Sequence, residues 1–274
     1  MSQTQRRLAW LKSRLRGTLL HKALEEFRKM AQGRRELHAR RTWTPHDHEM
    51  LSFYAQFISS ADVCFDVGAN VGNRTKIFLK LARKVIAVEP QLDCVACLTG
   101  TFGRNQKLVT IRQALGPEQR EAEIMVSTAS TISSFSAGWV ESVRASGRFP
   151  TARWDRREAV TMTTLDHLID RYGIPSFIKI DVEGFEYEVL QGLTRPVKAL
   201  SIEFTPEYVE AGLRSINYLA DLGPIMLNYS LGESMKFGLD HWISHTEMSA
   251  FLRDYAKGNS SFGDIYVRFV AQPR

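Results

Sequence analysis

Short apolar segments alternate with amphipathic segments along most of the chain from residue 61 onward. The apolar segments are typical of buried strands, whereas the amphipathic segments repeat apolar residues at three- and four-residue steps, as helices do. Strands separated by helices need crossover connections, which favours a mostly parallel sheet covered on both faces. The predicted strands are 62–67, 84–88, 108–114, 177–181, 199–204, 225–229 and 264–270, with extended pieces at 121–127 and 159–163; the predicted helices are 74–81, 92–102, 165–172, 185–190, 208–222 and 247–255.

The N-terminal segment has a different pattern. Residues 4–32 repeat leucines and other apolar residues at helical steps, with lysines and arginines between them. Residues 1–42 hold twelve Lys or Arg and three acids, whereas the remainder has a net charge of −3. The basic character therefore belongs to this segment, and it does not indicate a nucleic-acid partner for the globular part. Two interpretations stay open: the helix contacts an anionic membrane surface or an acidic partner, or it packs on its own domain or on a second copy in a homo-oligomer.

Length and composition limit the organisation of the protein. A chain of 274 residues fits one large α/β domain, predicted at 45–274, after a basic helical extension at 1–44. Three cysteines do not make a disulfide framework and fit a reducing compartment. No stretch approaches the roughly 20 apolar residues of a membrane span, and charged residues occupy the place of a secretory signal's apolar core. We predict a cytoplasmic protein, with peripheral membrane contact through the extension left open.

The first predicted strand leads directly into a glycine turn, Asp66-Val-Gly-Ala-Asn-Val-Gly72. Gly68 and Gly72 permit a tight turn and the close approach of a ligand to the backbone. In an open α/β sheet, ligands bind beyond the carboxyl ends of the strands. The second strand ends in Glu89, which is placed to accept hydrogen bonds from both hydroxyls of a ribose. The sequence therefore predicts a nucleoside-containing ligand at this edge.

The glycine turn differs from a dinucleotide fingerprint. That fingerprint has a glycine where this chain has Asn70. Asp66 would repel a diphosphate, whereas it would suit the sulfonium and ammonium groups of S-adenosylmethionine (SAM), which carries no phosphate. The charge pattern favours SAM over a nicotinamide cofactor.

A second pair of acids, Asp181 and Glu183, follows the 177–181 strand. Asp181 is expected to face the ligand, whereas Glu183 either faces the same crevice or caps the next helix. Methyl transfer to oxygen needs in-line approach and removal of the hydroxyl proton. Asp181, Glu183 and His241 are the candidate catalytic residues. Glu203, at the end of the next strand, either lines an acceptor pocket or bonds a neighbouring loop.

Residues 128–157 show no convincing strand and are predicted to form a long loop. Loops longer than about 12–15 residues are often binding loops or lids. Trp139, Phe149 and Trp154 favour a loop that contacts ligand, with a plain insertion as the alternative. Thr44 and Pro45 are typical of a helix start and predict a further helix there. No metal site is predicted, because His46 and His48 point to different faces of this helix and the C-x-x-C pair at 94–97 lies within a helical pattern.

These motifs, in this order, resemble the FkbM family of SAM-dependent methyltransferases. The resemblance covers about residues 47–270. Beyond the glycine turn, it includes Ile86-Ala-Val-Glu-Pro90, Thr164-Leu-Asp166, Ile178-Lys-Ile-Asp-Val-Glu-Gly-Phe-Glu186, Leu190-Gln-Gly192, Ser201-Ile-Glu-Phe204 and Gly263-Asp264.

The resemblance implies a Rossmann-like α/β fold with seven strands, mostly parallel, and an antiparallel last strand. It also implies that Asp66, Gly68, Asn70 and Gly72 surround the methionine part of SAM, with Asn73 and Thr75 beginning the helix beneath it. Glu89 would hold the ribose, Gln113 and Ala114 would border the adenine, and Asp181 and Glu183 would flank the methyl donor.

The predicted function is therefore SAM-dependent methylation, with a hydroxyl on a sugar, glycan, glycolipid or polyketide-type small molecule as the acceptor. Two alternatives remain: a non-catalytic binding module on a methyltransferase fold, and a nicotinamide-dependent oxidoreductase.

Overall fold

The structure is a computed structural model that describes residues 40–270, of which residues 44–270 form one compact unit. The predicted helix at 4–32 and most of the basic extension lie outside the described residues. None of the helices within 40–270 combines the length and apolar character that crossing a bilayer requires.

The described unit opens with helix α1, Pro45–Tyr54. Thr44 is the N-cap, and its side chain and that of Asp47 form a reciprocal capping box, with Pro45 in the first turn. The Asp47 carboxylate also accepts from Lys76 Nζ at 2.7 Å. This ion pair ties the start of α1 to the next helix along the chain.

Seven strands form the central sheet in the order β3-β2-β1-β7-β8-β10-β9. The first five of these are parallel, and β10 runs antiparallel to both of its neighbours. Every residue of β1 and β7 is buried, as expected for strands covered on both faces. The bounds are β1 Val63–Val67, β2 Lys84–Val88, β3 Leu108–Ile111, β7 Phe177–Ile180, β8 Ala199–Phe204, β9 Ile225–Leu231 and β10 Gly263–Phe269. The predicted fold, seven strands with an antiparallel last strand, is confirmed.

The helices follow the strands in alternation, as the amphipathic segments predict. The buried positions of the four helices within 165–255 join the core that the strands form around Phe65, Ile178 and Ile202. The bounds are α2 Asn73–Leu81, α3 Leu92–Phe102, α4 Ala137–Ser146, α5 Leu165–Tyr172, α6 Glu186–Leu190, α7 Val209–Leu222 and α8 His245–Tyr255.

A second, smaller sheet corrects the prediction of one strand at 108–114. The chain leaves the central sheet after Ile111, and Ala114–Leu115 form a separate strand, β4. This strand pairs with β6, Arg156–Thr163, which also pairs with β5, Arg120–Val126. Gln113 and Ala114 therefore do not continue the third strand of the central sheet. An alternating pattern of apolar and polar residues does not show where the chain passes from one sheet to another.

The predicted loop at 128–157 is wrong in its middle part, which is helical. Ser136 caps α4 by accepting from the Trp139 backbone N–H, and Gly147 ends the helix in a left-handed conformation. Trp139, Val140 and Val143 form the buried face of this helix. Their helical spacing and the flanking Ser and Gly were signals in the sequence.

Candidate active site

The glycine turn lies between the ends of β1 and β2. The backbone N–H groups of Gly68 and Ala69 both donate to the Val88 carbonyl oxygen, each at 3.0 Å. Gly68 has a φ of +77° and Asn70 a φ of +47°, so the backbone enters the left-handed region twice within three residues. This path ends at Gly72, the N-cap of α2, which has no side-chain cap.

Glu89 fixes the turn from the end of β2. One carboxylate oxygen accepts the Asn70 N–H at 2.8 Å, and the other accepts the Gln91 N–H at 2.8 Å. Burial raises the pKa of the Glu89 carboxyl. Both Glu89 carboxylate oxygens therefore accept from backbone N–H groups, whereas the sequence predicts that they contact a ribose.

A second turn follows β7 and carries Asp181 and Glu183. Glu183 has a φ of +55°, a conformation that non-glycine residues seldom adopt. The Glu186 Oε1 atom accepts from the N–H groups of Val182 at 3.0 Å and Gly184 at 3.2 Å, and the Ser134 hydroxyl donates to the Glu183 carbonyl at 2.6 Å. Burial raises the pKa of Glu186 to about 7. These bonds hold Glu183 in its conformation, while Phe185 is the N-cap of α6, so Glu183 does not cap that helix.

Lys179, within β7, supplies a buried positive charge below this turn. Its Nζ lies 3.2 Å from Asp181 Oδ2 and 2.7 Å from Asp264 Oδ1. Burial alone would lower the pKa of the Lys179 ammonium, but Asp181 and Asp264 hold it well above its usual range. The sequence motifs do not predict this role, although a single lysine within the otherwise apolar segment 177–180 is a signal for it.

Three carboxylates converge above Lys179. Asp181, Glu183 and Glu203 each bring one oxygen to within 4.8 Å of the others. Partial burial and the neighbouring Asp181 charge raise the pKa values of Glu183 and Glu203 well above their usual range. Oxygen ligands at this spacing could hold a divalent cation, but acidic groups also gather in clefts without one.

The two turns line one cavity of about 310 Å³. Asp66, Gly68, Asn70 and Asn73 lie on the glycine-turn side, and Asp181 and Glu183 line it from the second turn. Glu203 is also in the lining. The lining also includes Arg74, Thr131, Ile132, Trp139, Arg148, Phe149, Lys179, Glu233 and Phe262.

The 128–157 segment forms one wall of this cavity through Thr131, Ile132, Trp139, Arg148 and Phe149. The Arg148 guanidinium binds both carboxylate oxygens of Glu207, and its Nη2 also donates to the Ser260 carbonyl at 2.6 Å. Arg148 therefore joins the end of α4 to the segments that follow β8 and α8. Trp154, the third aromatic residue singled out in the sequence, packs edge-on against Trp139 behind the wall.

Several predicted site residues lie outside the cavity lining. Gly72 and Thr75 are buried at the start of α2, where the Thr75 hydroxyl donates to Asp66, whose pKa burial raises to about 6. Glu89 is buried behind the turn, Ala114 lies in the small sheet, and Gln113 directly precedes it. His241 is exposed after β9, and its backbone carbonyl accepts from Asn228. The structure thus brings Asp181 and Glu183 together with Glu203 but not with His241.

One protein-family model matches a continuous region of the chain. Residues 66–256 match the sequence model of the methyltransferase FkbM domain. No curated protein matches the chain.

Among solved structures, the chain is similar to a methyltransferase FkbM from Methylobacillus flagellatus KT, with 14% identity, a TM-score of 0.44, and coverage of 86% of this chain and 59% of that one. It is also similar to an rRNA methylase from Streptococcus thermophilus, with 10% identity, a TM-score of 0.45, and coverage of 84% and 99%. An O-methyltransferase from Bacillus cereus in complex with SAH has 10% identity, a TM-score of 0.44, and coverage of 84% and 83%.

The matched region begins at Asp66 and includes both turns and the three converging carboxylates, Asp181, Glu183 and Glu203. It spans well over half of the chain. The protein belongs to the FkbM methyltransferase family.

Proposed function

We propose that this protein transfers the methyl group of SAM to a hydroxyl oxygen of a sugar, glycan, glycolipid or polyketide-type acceptor. The observation that carries the proposal is that the glycine turn and the three carboxylates line the same cavity. One wall suits a nucleoside-linked methyl donor, and the other suits removal of a proton.

The charges of the cavity fit SAM. Its lining includes five carboxylates, those of Asp66, Asp181, Glu183, Glu203 and Glu233. Carboxylates attract the sulfonium and ammonium groups of SAM and repel the diphosphate of a nicotinamide dinucleotide. When bound, SAM supplies an electrophilic methyl group.

Glu183 and Glu203 are the residues that we propose receive the hydroxyl proton. A general base works best when its pKa lies close to the working pH, and the environment raises the pKa of both carboxyls. Asp181 differs because its Oδ2 atom is engaged by the Lys179 ammonium. We assign Asp181 to holding the positively charged donor and the Glu183–Glu203 pair to the acceptor.

The acceptor side combines acids with large apolar surfaces. Trp139, Phe149 and Phe262 lie in the same lining as Glu183 and Glu203. Carboxylates accept hydrogen bonds from hydroxyls, and aromatic rings supply apolar contact area and exclude water. A polyhydroxylated ring with one apolar face matches this combination.

The first experiment is titration calorimetry of the full chain with S-adenosylhomocysteine (SAH), with NADH as the control ligand. Binding of SAH alone supports the proposal, and binding of NADH alone supports the oxidoreductase alternative. Labelled SAM is then incubated with sugar, glycolipid and polyketide acceptors. SAH binding without methyl transfer to any hydroxyl would favour the binding-module alternative.

A further inference from the structure

Arg74 lines the cavity from the first turn of α2, and the motifs give it no role. We infer that Arg74 binds the carboxylate of the methionine part of the methyl donor. This inference rests on the proposed function, because it requires that SAM occupies the cavity.

The position of Arg74 suits an anion. It is the second residue of α2, a nine-residue helix that begins where the glycine turn ends. The first backbone N–H groups of a helix have no intrahelical partners and carry partial positive charge. Gly72, the N-cap, provides no side-chain oxygen for them. Asn70 and Asn73 line the cavity beside Arg74, so the carboxylate would lie on the same turn that holds the rest of the amino acid.

The Arg74 guanidinium has N–H groups without a strong acceptor. Its Nη2 donates to Glu233, and its Nη1 points to the Met50 sulfur at 3.0 Å, which is a weak acceptor. Its Nε is buried without an acceptor among the described residues. Guanidinium groups bind carboxylates through two parallel N–H donors, whereas here only Nη2 donates to a carboxylate.

The present partner of Arg74 is replaceable. The side chain of Glu233 is 52% exposed, whereas that of Arg74 is 13% exposed. An exposed carboxylate gains little from such a pair because water and salt compete for it. Glu233 can turn into solvent when a ligand carboxylate takes its place at the guanidinium.

The other two cationic side chains of the described cavity lining already have carboxylate partners. Lys179 is held by Asp181 and Asp264 and is almost completely buried. Arg148, in the 128–157 segment, is held by Glu207 and the Ser260 carbonyl. A ligand carboxylate on the glycine-turn side therefore meets Arg74.

The test compares two ligands that differ in the amino-acid part. SAH carries the carboxylate, whereas 5′-methylthioadenosine keeps the nucleoside and sulfur but lacks the amino-acid group. Both are titrated calorimetrically into the full chain, into Arg74→Met, and into Arg74→Gln, whose amide can still contact Met50 or Glu233. Arg83→Met, which changes an arginine just beyond the far end of the same helix, is the matched control. Thermal unfolding verifies that each variant is folded.

We expect wild-type protein and Arg83→Met to bind SAH more tightly than 5′-methylthioadenosine. Both Arg74 variants should bind SAH about tenfold or more weakly, because a charge-assisted hydrogen bond to the carboxylate is lost, and 5′-methylthioadenosine within about twofold of wild type. Equal weakening of both ligands, or no weakening of SAH in a folded variant, would overturn the inference and leave the proposed function intact. Failure of wild-type protein to bind either ligand would overturn the proposed function itself.

Discussion

Gly68 and the carbonyl group of Asp181 are in such close approach that no side chain fits between them. A Cβ atom on Gly68 would overlap the Asp181 carbonyl oxygen and lie 2.8 Å from its carbonyl carbon. The contact continues the pairing of β1 with β7, in which Val67 is opposite Ile180. The two turns of the candidate active site are therefore built against each other, and their separation is set by the absence of a side chain at residue 68.

Gly68→Ala should disrupt both turns. The alanine would have to hold a φ of +77° and displace the Asp181 backbone. We expect a loss of about 3 kcal/mol or more in the free energy of unfolding, measured with urea, and loss of SAH binding.

Gly147→Ala is the matched control for this substitution. Gly147 has a φ of +71°, but no atom lies within 4 Å of the place its Cβ would take. This variant should lose only about 1–2 kcal/mol in the free energy of unfolding and should still bind SAH. Equal losses in the two variants would show that conformational strain, and not the contact with Asp181, explains the requirement at residue 68.

Lys179→Met should destabilise the fold because Asp181 and Asp264 lose their shared counter-charge. Removing one partner of a buried ion pair typically costs about 3–5 kcal/mol, and we expect a urea unfolding loss in that range. The double variant Lys179→Met/Asp264→Asn should recover part of it, since one buried charge is removed. A loss below about 1 kcal/mol in the single variant would contradict this account.

Glu203→Gln should lower kcat about 100-fold or more if Glu203 takes the hydroxyl proton, with SAH affinity changed little. In wild-type protein the rate should rise with pH as the carboxyl loses its proton, and this rise should lie above the ordinary glutamate range because the Glu203 pKa is raised. His241→Ala, measured beside it, tests the rival base from the sequence. Its side chain is exposed outside the cavity, so we expect little change; a large loss would favour His241.

Glu186 should make stability depend on pH. Its ordinary pKa of 4.5 rises to about 7 in the folded protein. Between these values the folded state keeps a proton that the unfolded state has lost, so the free energy of unfolding should fall as the pH rises, by up to about 3 kcal/mol. The contribution is fully present below pH 4.5. Glu186→Gln should keep the Oε1 acceptor for Val182 and Gly184 and flatten this dependence.

Glu186→Ala removes both the hydrogen-bond acceptor and the titrating group, so its comparison with Glu186→Gln separates the two effects. The buried N–H group of Gly184 and the half-buried N–H group of Val182 would lose their acceptor, which we expect to cost about 2 kcal/mol or more in the free energy of unfolding. Thermal unfolding of both variants across pH 4 to 8 makes the comparison. An unchanged slope in Glu186→Gln would mean that other acids with raised pKa values, Glu183, Glu203 and Asp66, produce the dependence.

The sequence by itself determined the central sheet and the positions of the two turns. Alternation of apolar and amphipathic segments is a local signal, so β1, β2, β7, β8 and β10 are close to their predicted bounds. Asp66, Asp181 and Glu203 could be placed at one edge because parallel strands end on the same side. The boundaries of the 1–44 extension and the predicted ribose and adenine contacts stay predictions.

Only the tertiary structure decided how the side chains at that edge are paired. Whether Glu183 faced the cavity depended on Glu186 and on Ser134, a residue 49 positions away. The partnership of Lys179 with Asp264 spans 85 positions, and that of Arg74 with Glu233 spans 159. The local sequence pattern shows which residues share a strand or a helix face. Charge pairing across such separations depends on the strand order, because the strand order brings together residues that are far apart in the sequence.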